Sequence, residues 1–168
     1  MRDTALRDVL QALAATALAV LVYSLAGAGA PALLIVFNAF SVIVLFFAIR
    51  RGEVFGAVLG TMSGLVQDAF SLSVFGVAGL TKTLLGYWAG FVSRRIDVVP
   101  FGRNVLFTLV LSLLEMGLWT LLMAVVRLRS VNLHGGLALL QPVVTAVLVS
   151  GLLAFVRWRE RVRNGRGA

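Results

Sequence analysis

Three ionisable residues, Asp68, Lys82 and Glu115, stand inside long apolar stretches of the sequence. Charged side chains within a membrane span are rare, and they usually face the interior of a helix bundle and pair with one another. A short turn between the stretches that hold Asp68 and Lys82 makes these two helices antiparallel neighbours, so we expect the two residues to form an ion pair. Glu115 lies about 6 Å deeper by helical rise, within reach of the flexible lysine side chain.

The residue types leave two interpretations of this buried charge cluster open. The cluster could relay protons or ions or line a ligand-binding cavity, because buried ionisable groups mark such sites in membrane proteins. It could also be a polar clamp that holds three helices in register. We favour the clamp, since only these three charged groups lie within the apolar stretches and each has a partner within reach.

Other chemistry has little support in the sequence. The chain has no cysteine and a single histidine, His134, so it offers neither a thiolate zinc site nor a multi-histidine metal site. It has no Walker A loop, HExxH or GxSxG pattern. We therefore predict no enzyme, and neither a catalytic residue, a cofactor nor a metal site. The net charge of +8 does not indicate nucleic-acid binding, because most cations are arginines at the ends of apolar stretches.

Glycines at four-residue spacing precede Asp68 in the sequence GEVFGAVLGTMSGLVQD. Residues four apart share one helix face, and small residues on such a face let two membrane helices approach closely. The stretch around Lys82 is similar, with Gly79, Lys82, Gly86 and Gly90 at spacings of three, four and four. We predict that both faces pack against a helix, either within the chain or on a partner. The glycines of the two faces are Gly52, Gly56, Gly60, Gly64, Gly79, Gly86 and Gly90.

The composition defines the elements that must position these residues. The chain is 60% hydrophobic and 13% charged, with a mean hydropathy of +1.00, which places it among membrane proteins. Six apolar segments each approach the ~20 residues that span a bilayer. We predict an all-α polytopic membrane protein, with residues 1–168 forming one bundle of six transmembrane helices. The predicted spans are 9–26, 31–49, 54–70, 74–93, 104–126 and 136–156, followed by a basic tail at 157–168 that we expect to be frayed.

The distribution of arginines predicts the orientation. If both termini are cytoplasmic, the loops and termini inside the cell carry twelve arginines and the outer loops carry two, Arg127 and Arg129. Such a bias sets topology, because cytoplasmic loops are enriched in Lys and Arg. We keep the first segment as a helix, although Ala28-Gly29-Ala30 resembles a cleavage site, because its N-terminal region carries two aspartates.

One part of the chain resembles a known family. The sequence Gly64-Leu65-Val66-Gln67-Asp68, followed by Gly76 and then Gly86-Tyr87, resembles MreD, the rod shape-determining membrane protein of bacteria. The resemblance also includes a proline at the start of the second segment and the basic C-terminal tail. It covers roughly residues 31–95 well and the rest by hydropathy only. The chain departs from the family at Ala32, where MreD proteins often carry a polar residue.

The resemblance implies a non-enzymatic scaffold subunit of the bacterial cell-elongation complex in the plasma (inner) membrane. Its implied partners are the membrane protein MreC, with MreB, RodA and a class B penicillin-binding protein as further members of the complex. A homo-oligomer is also compatible with the glycine faces. The MreD fold is similar to the six-helix substrate-binding subunits of energy-coupling-factor vitamin transporters. A vitamin-binding transporter subunit is therefore the alternative function.

Overall fold

The computed structural model describes residues 2–71, 74–96, 101–127 and 134–165, and these ranges are helical, apart from short connections, with no strand. Six long helices and two short ones follow one another along this part of the chain, which confirms the predicted all-α fold class. They are α1 (Arg2–Gly29), α2 (Pro31–Val36), α3 (Ala39–Arg51), α4 (Glu53–Ser71), α5 (Val77–Ser93), α6 (Phe101–Arg127) and α7 (Leu140–Gly165), with a 3-10 helix at His134–Leu139 before α7.

Four helical stretches of the described chain are long and apolar enough to cross a membrane by length and composition. α4 and α5 are shorter, with 19 and 17 residues, and carry the glycines. A segment of about 17–25 residues can span the hydrocarbon core of a bilayer. The four long stretches are Leu6–Gly29, Ala32–Arg51, Phe101–Val126 and Gly136–Arg163.

The second predicted segment, 31–49, is divided into two helices, which corrects the prediction of one continuous span. α2 begins at Pro31, where the missing N–H of proline removes no helical hydrogen bond. The backbone is extended at Phe37 and Asn38, and the Asn38 side chain accepts a hydrogen bond from the N–H of Ser41 at 3.3 Å. Asparagine competes with the helix backbone in this way and so caps a new helix.

Two other boundaries differ from the prediction. The fourth segment begins at Val77 instead of residue 74, because Gly76 caps α5 with φ of +97°. Glycine adopts this left-handed conformation without the strain that a Cβ atom would add. The tail that we expected to be frayed continues α7 as far as Gly165. Residues 72–73, within the predicted outer turn, and Arg129 lie outside the described residues.

α3 is the helix around which the described bundle is assembled. It contacts α1, α4, α5 and α7, and Phe40, Val44, Leu45 and Ala48 on it are completely buried. α4 and α5 pack on each other and on α3, while α6 lies between α5 and α7. α4, which carries the regularly spaced glycines, is therefore one side of a tight helix pair with α5.

Ion pairs bring the ends of three helices together. Arg51, at the C-terminal end of α3, pairs with Asp8 near the start of α1. The neighbouring Arg50 pairs with Glu160 near the end of α7, at 2.8 Å. The first turns of α1 and the last turns of α7 therefore lie at the same end of the bundle. We name this end the arginine end.

Candidate functional site

The glycines of α4 lie directly against the backbone of α5. A Cβ atom added to Gly56, Gly60 or Gly64 would come closer than 3.0 Å to a backbone carbonyl oxygen of α5. The oxygens belong, in this order, to residues 86, 82 and 78, so the two helices are antiparallel. Real Cβ atoms essentially never approach a neighbour this closely, and α5 would have to move away. Glycine is thus required on this face of α4 for the helices to touch.

The glycines of α5 complete the same interface. Gly86 is reciprocal to Gly56, because a Cβ atom on either residue would strike the carbonyl oxygen of the other. Gly90 lies against the backbone where α4 begins, and Gly79 lies under the side chain of Leu65. Both glycine faces are therefore used within the chain, and a partner protein would have to dock elsewhere.

Gly52 has a different role from the other glycines. It connects α3 to α4 with φ of +96°, a conformation that favours glycine. Its N–H donates to the carbonyl oxygen of Ala48 and so closes the last turn of α3. The guanidinium of Arg94 from the end of α5 covers this connection and donates to the carbonyl oxygen of Arg51 at 2.9 Å.

The close approach of α4 and α5 leaves the Lys82 side chain on the opposite side of α5, inside the bundle. Its ammonium donates to Glu115 Oε1 on α6 at 2.5 Å and to Ser41 Oγ on α3 at 2.7 Å. The Ser41 hydroxyl in turn donates to Glu115 Oε1 at 2.7 Å. The three side chains are buried, with Lys82 only 1% exposed. We name this arrangement the Ser41–Lys82–Glu115 triad.

The triad is electrically neutral overall and joins three helices. Removing two charges from water has a large desolvation cost, which is offset only when the pair has good geometry and further hydrogen bonds. Ser41 supplies both kinds of bond, because a hydroxyl donates one hydrogen bond and accepts others. Sequence reasoning did not include Ser41 in the cluster. Its signal in the sequence is a polar side chain three residues after Asn38 in an otherwise apolar segment.

Asp68 takes no part in this triad. Its carboxylate accepts backbone N–H hydrogen bonds from Gly76 at 2.9 Å, Ala78 at 3.1 Å and Gly79 at 3.1 Å. These N–H groups lie at the start of α5, where they have no partner within the helix and where the helix dipole favours an anion. The predicted ion pair between Asp68 and Lys82 is therefore wrong. Lys82 lies six residues beyond Gly76, about 9 Å by helical rise, and binds Glu115 instead.

A second polar layer joins α6 to α7. The Thr108 hydroxyl donates to the Asn104 carbonyl oxygen at 2.6 Å and lies 3.4 Å from the Ser150 hydroxyl. Asn104, Thr108, Thr145 and Ser150 are all buried. Single polar side chains across a helix interface each contribute modestly in membranes, about 0.6–2 kcal/mol. On this side of the interior, the Thr108 hydroxyl thus links α6 to α7, whereas the triad links α3, α5 and α6 on the other side.

Two cavities border the bundle interior. The smaller, of about 570 Å³, lies between α5 and α6 and is apolar except near Thr81 and Glu115. The larger, of about 1150 Å³, lies between α1, α3 and α7 and reaches the arginine end. Among the described residues, no group of three His, Cys, Asp or Glu side chains could hold a metal ion.

Comparisons with protein-family models, with curated proteins and with solved structures find no match for this chain. The fold itself defines a class: an all-helical bundle with apolar helices typical of a membrane protein, tied internally by a buried ion pair.

Proposed function

We propose that the chain is a non-enzymatic scaffold subunit of the bacterial cell-elongation complex, of the MreD type. The observation that carries this proposal is the Ser41–Lys82–Glu115 triad, in which each buried polar group is bound by the others. A buried polar network whose members are hydrogen-bonded to one another makes a core rigid, and this one joins α3, α5 and α6. The triad therefore favours the clamp, and a rigid bundle is suited to docking other membrane proteins.

The residues that resemble MreD have a common physical role, which supports the same proposal. Gly64 permits the contact between α4 and α5, and Asp68 binds the N–H of Gly76 at the start of α5. The Gly-Leu-x-x-Asp sequence and the following glycine thus act together to fix one antiparallel helix pair. These residues would shape the subunit and would not contact a substrate.

The proposed location is the bacterial inner membrane, with six crossings and both termini in the cytoplasm. The excess of arginines in the predicted inner loops supports this orientation. The arginine end supports it as well, because it brings the first turns of α1 and the last turns of α7 together. Both termini lie on the same side of the membrane when the number of crossings is even.

Partners of the scaffold would dock on the outward faces of the bundle, because the glycine faces are used within the chain. One such face is on α6, where Leu106, Leu114, Leu121 and Val125 are each at least 60% exposed. A Cβ atom added to Gly117, in the same face, would meet nothing within 4 Å, so this position offers room for a close helix contact. The proposed partners are MreC and, through it, MreB, RodA and a class B penicillin-binding protein.

A vitamin-binding subunit of an energy-coupling-factor transporter is the second candidate, and the 1150 Å³ cavity favours it. Ligand pockets commonly measure about 300–1,000 Å³, so the cavity is large enough for a vitamin. Its charged side chains lie at the arginine end, which is cytoplasmic in the proposed orientation. A subunit that captures vitamins from outside the cell would need its polar groups at the other end.

The two candidates are separated by the partners that the intact chain retains. A tagged chain is extracted in mild detergent and captured, and the retained proteins are identified by mass spectrometry. We expect cell-wall synthesis proteins, and recovery of transporter ATPases in their place would overturn the scaffold proposal. The Asp68→Ala variant, which removes the cap of α5, should lose these partners. Glu160→Ala removes a carboxylate from an exposed ion pair and should retain them.

A further inference from the structure

The large cavity at the arginine end is polar at one end and apolar along the rest of its length. Its walls are formed by α1, α3 and α7. Along α1 it extends from Arg7 to Val22, which corresponds to about 22 Å by helical rise. One leaflet of the hydrocarbon core is about 15 Å thick, half of the bilayer's ~30 Å. The cavity is therefore long enough for an acyl chain that lies along the helices, with further length at the polar end for a headgroup.

The apolar length of the cavity is lined by aliphatic and aromatic side chains. Ala15 and Leu18 of α1 face Ile43 and Phe46 of α3, and Phe155 of α7 closes the third side. Leu18 is 60% exposed, so this wall is open to whatever surrounds the bundle. In a membrane, an open apolar groove of this kind is filled by hydrocarbon.

The polar end of the cavity carries an excess of positive charge. Five arginines and two carboxylates line it, a net charge of +3. Asp8 and Glu160 are both engaged by the arginines at the end of α3. Among the described residues, the ion pairs leave three lining arginines with no acidic partner. These are Arg7, Arg159 and Arg163.

We propose that this cavity binds one anionic phospholipid, with the phosphate at the arginine end and an acyl chain along the apolar wall. Basic pockets between helices on the cytoplasmic side of a membrane are suited to anionic lipid headgroups. Arginine binds phosphate oxygens with two parallel hydrogen bonds, which gives this charge cluster a geometric preference for phosphate. The acyl chain covers apolar surface on α1, α3 and α7.

The occupant is a lipid and not a soluble phosphate compound, because arginines line only one end of the site. A soluble anion would contact only the arginines and would gain no binding energy from the apolar wall. A zwitterionic lipid would fill the wall equally well but would bring its own cation to the arginines. The site therefore selects for net negative headgroup charge and for a hydrocarbon chain together.

Native mass spectrometry of the full chain, released from nanodiscs of equal phosphatidylglycerol and phosphatidylcholine, tests the proposal. We expect one retained phosphatidylglycerol per chain. The double variant Arg159→Gln/Arg163→Gln should bind it about 30-fold more weakly, since each cation contributes about fivefold. The matched control Arg95→Gln/Arg161→Gln removes the same charge from arginines outside the cavity and should retain the lipid. Equal retention of the two lipids, or equal losses in the two double variants, would overturn the proposal.

A second pair of variants tests the acyl-chain wall and distinguishes a lipid from a soluble anion. Leu18→Trp fills the cavity from α1 and should weaken phosphatidylglycerol retention at least fivefold. Leu13→Trp places the same ring on an exposed position of α1 that does not line the cavity, and should leave retention unchanged. Glycerol phosphate, which has the headgroup charge without the chain, should not displace the lipid. Displacement by glycerol phosphate would show a headgroup-only anion site and would overturn the proposal.

Discussion

At the scale of single residues, the Ser41–Lys82–Glu115 triad is the feature with the largest energetic consequence. Lys82 and Glu115 are almost completely buried, so water has little access to either charge. Each charge is tolerable only because the other is present. The pair therefore stabilises the fold less than its short distance suggests, but the loss of one partner is severe.

We expect Lys82→Met to lower the free energy of unfolding by about 3–5 kcal/mol, because it leaves the Glu115 carboxylate buried without its counter-ion. The double variant Lys82→Met/Glu115→Leu removes both charges and should recover most of this loss. Unfolding of the chain in mixed detergent micelles, followed by tryptophan fluorescence, measures both values. A double variant as unstable as the single one would show that packing, and not charge, is responsible.

An exposed cation provides the control for that experiment. Arg94 pairs with Glu53 at 3.4 Å, and its side chain is 59% exposed. Exposed ion pairs contribute only about 0–1 kcal/mol. Arg94→Met also removes the exposed hydrogen bond to the Arg51 carbonyl oxygen, and it should still change the free energy of unfolding far less than Lys82→Met. Similar losses in the two variants would mean that burial does not decide the cost.

The sequence identified the buried charges at this scale but not all of their partners. Hydropathy marks Asp68, Lys82 and Glu115 because each interrupts an apolar run. It cannot show that Asp68 binds backbone N–H groups, since every residue except proline carries that donor. The informative signal was Gly76, whose positive φ begins α5 and turns its first N–H groups towards the carboxylate.

At the scale of helices, the contact between α4 and α5 follows directly from the four-residue spacing of glycine. The spacing predicts a helix face without side chains, and the glycine contacts show that α5 covers this face in the antiparallel direction. The break between α2 and α3 was hidden from the sequence. The residues on both sides of Asn38 are apolar, so the hydropathy of the segment remains high across the break. Only the hydrogen bond from the Ser41 N–H to the Asn38 side chain reveals the new helix start.

We expect Gly60→Ala to destabilise the bundle by about 1–3 kcal/mol, as overpacking of a close contact usually does. The added Cβ atom would meet the carbonyl group of Lys82, which is backbone and cannot rotate away. Gly117→Ala is the matched control, because a Cβ atom there meets nothing within 4 Å. It should be neutral or slightly stabilising. The same micelle-unfolding measurement compares them, and equal effects would contradict the role of Gly60 in helix contact.

At the scale of the whole molecule, charge is distributed unevenly between the two ends. Ion pairs from α1, α3 and α7 meet at the arginine end, and Arg94 of α5 joins the start of α4 nearby. Six apolar segments and the arginine count predicted such an end from the sequence. The order in which helices pack around α3 could not be predicted, because apolar faces of similar composition do not specify their neighbours.

The absence of cysteine from the sequence allows the orientation to be measured with single introduced thiols. Phe75, in the turn before α5, is 68% exposed, and Arg161 lies on the exposed surface of α7 beyond its apolar part. In intact cells, a membrane-impermeant maleimide should label Phe75→Cys, while Arg161→Cys should react only after permeabilisation. The cysteine-free parent chain gives the background. The reverse pattern would place the arginine end outside, against the bias that retains arginine-rich segments in the cytoplasm. Labelling of both thiols in intact cells would mean that the turn and the tail lie on one side. This is not possible if α5 crosses the membrane, because its C-terminal Arg94 contacts Arg51 at the arginine end, where α7 also ends.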